Sequence, residues 1–491
     1  MSANDLAVVI LAAGKGTRLK SSQAKVLHRA GGRPLVDQVL RACAPLKARR
    51  TIAIVGHQSE QVTVVAEALG AESVLQQPQH GTGHAMQVAR RALGGTKIAI
   101  VLPGDAPLIR TETLKAMLAA HRASNAAATV LSAVVSDPSG YGRVLRKSET
   151  AVQAIVEESQ LTSEQREINE INSSIYCFTL EKLWPALAHV KPNNKHRELY
   201  LTDAVGVLGN GGELVVAHVA SDPREALGCN TRADLAEVDR IFRERKRTEL
   251  MEAGVSMQLP ETVLIDPEVT AGEDTVLEPG VQLLGKTKIG ARCTIRTGSV
   301  LHDAVLGNDV VVEPHCVVAQ SRLDDRVVIG PFARLRPNNH LKADSRIGNF
   351  VELKKSTIGE GTKAMHLSYL GDTKIGSKAN VGAGTITCNY DGFHKYPTNI
   401  GNRVFIGSDT TLVAPVRVGD GGYVGAGSTI TENVPGDALA IARGRQVNKP
   451  GWAARKRREL AAEHGTKARP KKARRKNRKG SHKTRRKSRT R

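Results

Sequence analysis

A glycine-rich turn follows a short apolar run near the start of the chain, where LAAGKGTR comes directly after LAVVI. Gly14 and Gly16 allow the backbone to approach an anion. Lys15 and Arg18 add positive charge. The turn lacks the GK[ST] ending of a Walker A loop, and Leu19 stands where a full dinucleotide fingerprint has its third glycine. The motif therefore predicts a phosphate-binding turn of another class.

Two further residues can complete a phosphate site. Lys25 in AKVLH supplies a second cation, and Asp105 in LPGDAPL supplies a carboxylate at the end of an apolar run. A carboxylate, phosphates and a hard cation such as Mg²⁺ form a common set for phosphoryl or nucleotidyl transfer, in which the protein mainly positions groups and neutralises charge. The alternative for Asp105 is a helix cap before Leu108.

The elements that must position these residues alternate between strands and helices up to about residue 229. Strand-like runs (AVVILAA, TIAIVG, IAIVLPGD, AATVLSAVV) are separated by helical stretches such as residues 61–69 and 114–120. This alternation predicts an α/β doubly wound, Rossmann-like and mostly parallel sheet. Ligands of such sheets bind at the carboxyl ends of the strands, which is where LAAGKGTR and LPGDAPL fall.

A helix is predicted over residues 231–252, where four apolar residues share one helical face: Leu235, Val238, Ile241 and Phe242. We interpret it as a linker between a domain of residues 1–230 and a second domain of residues 253–452. A chain of 491 residues is too long for one hydrophobic core, which supports this division.

Apolar residues recur at every sixth position after residue 260. Three ladders show this spacing: Leu277, Leu283, Ile289, Ile295, Leu301; then Leu323, Ile329, Leu335, Leu341, Ile347, Leu353; then Ile400, Ile406, Leu412, Val418, Val424, Ile430. A sustained period of six is the hexapeptide signature of a parallel β-helix, in which three short faces make one coil.

The ladder loses phase twice, with a step of five residues after Leu353 and a step of thirteen after Thr387. A solenoid usually ejects such irregularities as loops on one face, and that face is commonly the binding surface. We therefore expect loops at three polar stretches: ELKKS (352–356), KAMHLSYLGD (363–372) and TCNYDGFHKY (387–396).

Most of the net charge of +23 lies at the end of the chain. Residues 455–491 hold nineteen Lys and Arg against two Glu, with few apolar residues. We expect a basic disordered tail over residues 453–491, because such a composition cannot bury enough apolar surface to offset its ordering entropy. The tail is either a solubilising extension or a non-specific contact to nucleic acid or anionic membrane.

The cysteines and the N-terminal residues predict a cytoplasmic protein. The six cysteines are scattered, with neither CxxC spacing nor the density of a secreted disulfide framework. The N-terminal residues show no signal-length apolar segment, and the chain has no run of about 18 apolar residues.

Further motifs follow one another in a familiar order. LAAGKGTRL, KVLH, HGTGHA, PGDAPL, GYGR, IVEE, EINSSIY, YLTD and GCNTRADL resemble the sugar-1-phosphate nucleotidyltransferases. HLSYLGD and GAGTITCNYDG look like the acetyltransferase domain fused to one branch of that family. Over about residues 6–452 the chain resembles the bifunctional bacterial N-acetylglucosamine-1-phosphate uridylyltransferases/glucosamine-1-phosphate N-acetyltransferases.

The resemblance implies a left-handed parallel β-helix and two reactions. The second half would transfer acetyl from acetyl-CoA to glucosamine 1-phosphate. The first half would transfer uridylyl from UTP to N-acetylglucosamine 1-phosphate, with release of pyrophosphate, and so supply UDP-N-acetylglucosamine for peptidoglycan and lipopolysaccharide precursors. It also implies a homotrimer with sites between subunits. An alternative is a nucleotidyltransferase for another sugar or base whose β-helix serves only assembly.

The same match assigns residues of the first half. The uracil and phosphates of UTP would be bound by Leu11, Ala12, Gly14 and Lys25, with Arg18 facing the triphosphate. Uracil would be recognised by Gln76, Gly81 and Thr82; the alternative is that a glutamine before a Gly-Thr turn is only a surface residue. Mg²⁺ would be bound by Asp105 and Asn230, since oxygen donors suit this cation. The amino sugar would be bound by Gly142, Glu157 and Asn172.

In the second half the match makes His366 the general base, since an imidazole titrates near neutrality and acetyl transfer to an amine requires removal of a proton. A lone histidine is otherwise more often structural. The sugar phosphate would be bound by Arg336, Lys354, Tyr369, Asn380 and Lys395. Acetyl-CoA would be bound by Ala383, Asn389, Tyr390, Ser408, Ala426 and Arg443. The alternative for Arg443 and Lys395 is that they are solvated surface charges.

Two departures from the family's pattern lie in the first half. The PKVLH common in the family is AKVLH here, which changes the stiffness of the backbone before Lys25 but keeps the cation. PGDAPL has a proline before Gly104 where a tyrosine is familiar, which changes the wall of the pocket.

Overall fold

The structure is a computed structural model that describes residues 5–192 and 198–467. Through Ile441 the chain forms one compact unit, and a second unit begins at Ala442. The strands of the first half are β1 Leu6–Ala12, β2 Arg29–Ala30, β3 Arg33–Pro34, β4 Arg50–Val55, β5 Glu72–Leu75, β6 Ile98–Pro103, β7 Ala128–Val134, β8 Arg143–Arg146, β9 Val152–Val156, β10 Glu170–Thr179 and β11 Val215–Val219. Its helices are α1 Leu35–Cys43, α2 Ser59–Glu67, α3 Thr82–Ala89, α4 Thr111–Ser124, α5 Ser163–Arg166, α6 Leu180–His189 and α7 Leu201–Asn210.

Seven of these strands form a mostly parallel path, as predicted, in the order β11-β7-β10-β6-β1-β4-β5; β8 and β9 extend the same sheet beside β10, and β2 and β3 form a separate pair. The central strand β1 pairs in parallel with β4 and β6, so that Ile10 lies opposite Ala53 and Leu102. Its apolar residues are covered on both faces, because helices pack on both sides of such a sheet. Strand β10 runs antiparallel to β6 and β7, and β8 and β9 also pair antiparallel. The carboxyl ends of β1, β4 and β6 therefore meet at one edge.

Helix α8, Arg232–Glu252, follows the sheet. It begins at a capping box, in which Thr231 and Asp234 bond reciprocally to each other's backbone N–H groups. Val238 and Ile241 are buried against the first half, while Arg243 donates a 2.8 Å hydrogen bond to the Ile265 carbonyl oxygen in the second. The helix thus contacts both halves of the chain.

The second half is a left-handed parallel β-helix. Its strands are β12 Ser256–Met257, β13 Leu264–Ile265, β14 Thr270–Ala271, β15 Val276–Leu277, β16 Gln282–Leu284, β17 Lys288–Ile289, β18 Thr294–Ile295, β19 Val300–His302, β20 Val305–Leu306, β21 Val311–Val312, β22 Val317–Ala319, β23 Arg322–Leu323, β24 Val328–Ile329, β25 Arg334–Leu335, β26 His340–Leu341, β27 Arg346–Lys354, β28 Thr357–Ile358, β29 Lys363–Gly371, β30 Thr373–Ile375, β31 Asn380–Val381, β32 Ile386–Cys388, β33 Thr398–Ile400, β34 Phe405–Ile406, β35 Thr411–Val413, β36 Val416–Val418, β37 Tyr423–Val424, β38 Thr429–Ile430 and β39 Leu439–Ala440.

Each coil stacks on the next in parallel register. Val276 lies opposite Thr294, which lies opposite Val311 in the following coil. All residues of the three predicted ladders are buried and belong to one continuous apolar core. The hexapeptide prediction is therefore confirmed.

The expectation of loops is wrong for two of the three polar stretches. Most of ELKKS lies in β27 and nearly all of KAMHLSYLGD lies in β29, and the two long strands pair in parallel from Arg346↔Lys363 to Lys354↔Gly371. A coil that is one residue shorter keeps its strands in register, so the step of five is absorbed without a loop. TCNYDGFHKY does leave the ladder, with an antiparallel bridge between Tyr390 and Lys395.

The chain continues into helix α9, Trp452–Lys467. The prediction of disorder from residue 453 onward is thus wrong up to Lys467. The stretch is rich in Ala, Arg, Lys, Leu and Glu, which are strong helix formers, and Lys456 pairs with Glu459 one turn later at 3.5 Å. Residues 468–491, on which most of the predicted contact with nucleic acid or membrane depends, lie outside the described residues.

Two further observations concern the cysteines and the apolar character of the helices. All six cysteines are free thiols, and five of them are buried. Within residues 5–192 and 198–467, no helix combines the length and apolar character that a membrane span requires.

Candidate functional site

The glycine turn after β1 leads into a single 3₁₀ turn, Thr17–Leu19. Gly16 has a φ of 63°, and a Cβ built there would lie 2.5 Å from Lys25 Cβ. A glycine is therefore required at this position both for its backbone conformation and for the close approach of Lys25. A Cβ on Gly14 would meet nothing within 4 Å, so that this part of the turn is open to a ligand.

Four predicted residues come together beside the turn. The Lys25 ammonium forms an ion pair with Asp105, and it donates a 2.7 Å hydrogen bond to Asn230 Oδ1. Arg18 Nη2 donates to the same oxygen at 2.8 Å. Two cations and two oxygen-bearing side chains, separated by up to 212 residues in sequence, thus share one small site.

Backbone contacts fix the two oxygen-bearing residues. Asp105 follows β6, and its carbonyl oxygen accepts a 2.9 Å hydrogen bond from the Cys229 N–H. The Asn230 N–H donates to Asp234 Oδ2 at 2.8 Å, just before α8. Burial raises the pKa of Asp234, but the donated N–H groups of Asn230 and Thr231 outweigh burial and hold that pKa below its ordinary value. The start of α8 therefore holds Asn230 in place.

The alternative role of Asp105 as a helix cap is wrong. The next helix, α4, begins at Thr111, and its N-cap residue is Arg110, whose side chain makes no capping hydrogen bond. The Asp105 carboxylate instead faces Lys25.

A large cavity adjoins the turn, with a volume of about 1090 Å³. Its size suits a nucleotide sugar better than a single phosphate. Seven predicted residues line it: Leu11, Gly14, Gln76, Gly81, Thr82, Asp105 and Glu157. Ala12, Arg18, Lys25, Gly142, Asn172 and Asn230 are absent from the lining. Tyr176, Tyr200 and Thr202 also line it and were not predicted, although INSSIY and YLTD carry them.

One end of the cavity presents an amide beside a backbone turn. Gln76 is buried, and its Nε2 donates a 2.9 Å hydrogen bond to the Gly81 carbonyl oxygen. Thr82 Oγ1 accepts from the Leu201 N–H at 2.9 Å. The side chain of Gln76 is thus fixed at the pocket wall, as recognition of a flat polar ring requires.

The other end presents a partly buried carboxylate. Glu157 Oε1 accepts a 3.1 Å hydrogen bond from Thr202, and burial raises the Glu157 pKa above its ordinary value. Gly142 lies behind this carboxylate without lining the cavity, since a Cβ there would lie 3.6 Å from Glu157 Oε2. The Asn172 N–H donates to the Gly142 carbonyl oxygen at 2.9 Å, and its side chain donates to the Tyr176 hydroxyl.

His366 stands on strand β29 and its side chain is exposed. It is opposite Asn349 of β27, and its Nδ1 lies 3.1 Å from Asn349 Oδ1. Because a carbonyl oxygen only accepts, this contact places the proton on Nδ1 and leaves Nε2 free to take up a proton. The histidine is therefore not a buried structural residue. Asn349 was not predicted, and only the strand register brings it to His366.

A second group of predicted residues lies on the neighbouring coils. Lys354 Nζ donates a 2.7 Å hydrogen bond to Asp372, which raises the Lys354 pKa. Arg336 donates to Glu352, and Tyr369 pairs with Glu352 in register. The Lys395 side chain lies close to that of Lys354. Asn380 lies one coil further, on β31 opposite Lys363.

The predicted acetyl-CoA residues fall into three groups. Ala383, Ser408 and Ala426 occupy one corner of successive coils, since the Asp409 N–H donates to the Ala383 carbonyl oxygen and the Gly427 N–H donates to that of Ser408. Asn389 and Tyr390 begin the TCNYDGFHKY loop. Arg443 belongs to the second compact unit.

Within the described part of the chain, no three His, Cys, Asp or Glu residues cluster in the manner of a metal-binding cage. Asp105 and Asn230 offer one carboxylate and one amide oxygen, and both oxygens already contact cationic side chains. This donor set fits a hard cation that also takes ligands from phosphates and water.

Comparisons with known proteins agree with this geometry. Residues 8–200 match the family model of the MobA-like NTP transferase domain, and residues 397–432 match that of the bacterial transferase hexapeptide (six repeats). The bifunctional protein GlmU of Koribacter versatilis (strain Ellin345) is 51% identical over 92% of this chain and 97% of its own length. That of Solibacter usitatus (strain Ellin6076) is 50% identical over 93% and 98%, and that of Geotalea uraniireducens (strain Rf4) is 45% identical over 92% and 100%.

Proposed function

The chain belongs to the family of the bifunctional protein GlmU, and on this premise we propose how its two halves divide the synthesis of UDP-N-acetylglucosamine. The β-helix transfers acetyl from acetyl-CoA to glucosamine 1-phosphate. The α/β half then transfers uridylyl from UTP to N-acetylglucosamine 1-phosphate and releases pyrophosphate. The observation that carries the proposal is that one chain combines two sites. Lys25, Asp105 and Asn230 lie beside a nucleotide-sized cavity, and an exposed histidine, His366, lies on the hexapeptide coils.

Uridylyl transfer is mainly a matter of position and charge. A phosphate oxygen of N-acetylglucosamine 1-phosphate attacks the α-phosphorus of UTP, and the bond to the β-phosphate breaks. Arg18 and Lys25 neutralise the charge that develops on the leaving pyrophosphate. Gln76 orients uracil at the far wall, so that the α-phosphate lies at the glycine turn.

Asp105 and Asn230 are the residues that would hold Mg²⁺, because they supply oxygen ligands beside the phosphate-binding turn. When bound, the cation supplies charge neutralisation and orients the triphosphate. Lys25, whose ammonium contacts both residues, would supply positive charge to the phosphates beside them.

Glu157 accepts hydroxyl groups of the sugar in this proposal, and its raised pKa gives a pH dependence. We expect the KM for N-acetylglucosamine 1-phosphate to rise as the pH falls toward the ordinary glutamate value of 4.5, because a protonated carboxyl loses one acceptor. The loss begins above pH 4.5, since burial shifts the pKa upward.

Steady-state kinetics across the acidic range measure this effect. The sugar phosphate itself titrates there, so Glu157→Gln serves as the control that retains the phosphate contribution. Identical pH profiles for the wild-type protein and Glu157→Gln would exclude a role for the ionised carboxylate.

Acetyl transfer begins with the amine of glucosamine 1-phosphate. His366 Nε2 takes a proton from the attacking amino group as the nitrogen bonds to the thioester carbon. The C–S bond then breaks, and the same proton passes from Nε2 to the departing sulfur, so that coenzyme A leaves as the free thiol. Asn349 holds the ring through Nδ1. Lys354 and Arg336 provide positive charge for the sugar phosphate.

The two half-reactions test the proposal separately. With UTP, Mg²⁺ and N-acetylglucosamine 1-phosphate, we expect UDP-N-acetylglucosamine without acetyl-CoA. With acetyl-CoA and glucosamine 1-phosphate, we expect free thiol without UTP. Product formation only from another sugar phosphate or another nucleoside triphosphate, with no thiol release, would favour the alternative in which the β-helix serves assembly.

We further propose that the chain assembles as a homotrimer in the cytoplasm. His315, Phe332 and Phe350 stack along successive coils, with ring centroids 5.4 and 5.3 Å apart, and the two phenylalanines are 47% and 56% exposed. An exposed aromatic row of this kind marks an interaction surface.

Light scattering should therefore give a mass three times 52.6 kDa. Phe332→Asp/Phe350→Asp should lower that mass, because it places charge in the buried interface. Val64→Asp is the control, since Val64 is 70% exposed on α2 in the other half. A wild-type mass of 52.6 kDa at micromolar concentration would contradict the homotrimer.

A further inference from the structure

The turn between β4 and α2 touches both phosphate-binding elements of the α/β half. The His57 N–H donates a 3.1 Å hydrogen bond to the Ala13 carbonyl oxygen in the glycine turn. The next residue, Gln58, reaches the segment before Lys25. None of the roles assigned above uses Gln58.

Both ends of the Gln58 amide are bound to that segment. Its Oε1 accepts a 2.6 Å hydrogen bond from the Ala24 N–H, and its Nε2 donates a 2.8 Å hydrogen bond to the Ser22 carbonyl oxygen. Ala24 is buried, with 1% of its surface exposed, so its N–H requires a partner inside the protein. Gln58 is that partner.

The backbone of Ala24 explains why a partner is present. Its φ is −55° and its ψ is 137°, close to the φ that a proline ring imposes. A proline would hold this φ without any N–H to satisfy. Alanine leaves φ free and adds a buried donor. The Gln58 amide supplies the restraint that alanine lacks.

Gln58 itself adopts an uncommon conformation. Its φ of 51° and ψ of 43° lie in the left-handed region, which residues other than glycine, asparagine and aspartate seldom occupy. Backbone strain of this kind persists where the surrounding structure or the function demands it. Here it directs the side chain from the start of α2 toward Ser22 and Ala24.

We propose that Gln58 is a positioning residue for uridylyl transfer, which restrains residues 22–24 and so places the Lys25 ammonium for the triphosphate. Lys25 directly follows the restrained segment, and its ammonium contacts Asp105 and Asn230. The inference rests on the proposed uridylyl transfer and names a residue that acts through Lys25 without touching substrate.

The test is a double-mutant cycle in the full-length protein. Gln58→Ala should lower kcat/KM for UTP about 10- to 100-fold, because small misplacements of a reacting group have effects of this size. Acetyl transfer by the same preparation should stay unchanged, which shows that the chain is folded. Gln61→Ala, an exposed glutamine on α2, should leave both activities unchanged.

Proline at residue 24 should remove the need for Gln58. Ala24→Pro should keep wild-type uridylyl transfer, and Ala24→Pro/Gln58→Ala should recover it to within about twofold, since the ring fixes φ and leaves no N–H unpaired. Wild-type activity of Gln58→Ala, or a double variant as slow as Gln58→Ala alone, would overturn the inference. Absence of uridylyl transfer in the unaltered protein would instead overturn the proposed function.

Discussion

His366→Ala should lose acetyl transfer by a factor of about 10² to 10⁴, the range over which a positioned general base contributes to a rate. Its free Nε2 is the group that receives the proton of the attacking amine, and alanine leaves no replacement. Thiol release from acetyl-CoA in the presence of glucosamine 1-phosphate measures the loss. Uridylyl transfer should be unaffected, because Lys25, Asp105 and Asn230 lie in the other half of the chain.

A matched histidine provides the control. His302 is also exposed on the β-helix, where its Nδ1 lies 3.2 Å from Asp303. His302→Ala should therefore retain both activities. Acetyl transfer by His366→Ala at the wild-type rate would show that another group accepts the proton.

Asp105→Asn should lower uridylyl transfer by about 10²- to 10³-fold, as expected when one preorganised electrostatic contact to a reacting group is removed. The change keeps the size of the side chain but removes the charge that faces Lys25 and the proposed cation. The Mg²⁺ concentration for half-maximal rate should rise, and acetyl transfer should remain. Initial rates at increasing Mg²⁺ measure both effects.

Asp37→Asn is the control for the lost negative charge, because Asp37 lies on α1 and pairs with Arg41 at 2.7 Å. It should leave uridylyl transfer unchanged. If Asp105→Asn shows an unaltered rate and Mg²⁺ requirement, the charged site beside the glycine turn does not bind the cation.

Chain order and periodicity predicted much of the fold. The alternation of apolar runs and helices specified the sheet edge at which Lys25 and Asp105 meet, and the six-residue spacing specified the β-helix core. The loop at residues 387–396 was predicted in the same way. These features follow from local patterns of apolar and polar residues that repeat along the sequence.

Other features depend on register and side-chain reach, which no local pattern records. Asn349 meets His366 only because β27 and β29 pair over long strands, and a step of five residues in the ladder does not distinguish a shorter coil from a loop. Gln58 meets Ala24 across 34 residues of sequence through a left-handed turn. Helix α9 shows the opposite case, in which helix propensity outweighed the charge that predicted disorder.

The most direct measurement of the central claim is product analysis of the purified full-length protein given glucosamine 1-phosphate, acetyl-CoA, UTP and Mg²⁺. We expect UDP-N-acetylglucosamine, coenzyme A and pyrophosphate in equal amounts. Without acetyl-CoA, no nucleotide sugar should form. Addition of N-acetylglucosamine 1-phosphate to that mixture should restore its formation. Coenzyme A without the nucleotide sugar, or no product from any of these substrates, would contradict the assignment of both reactions to this chain.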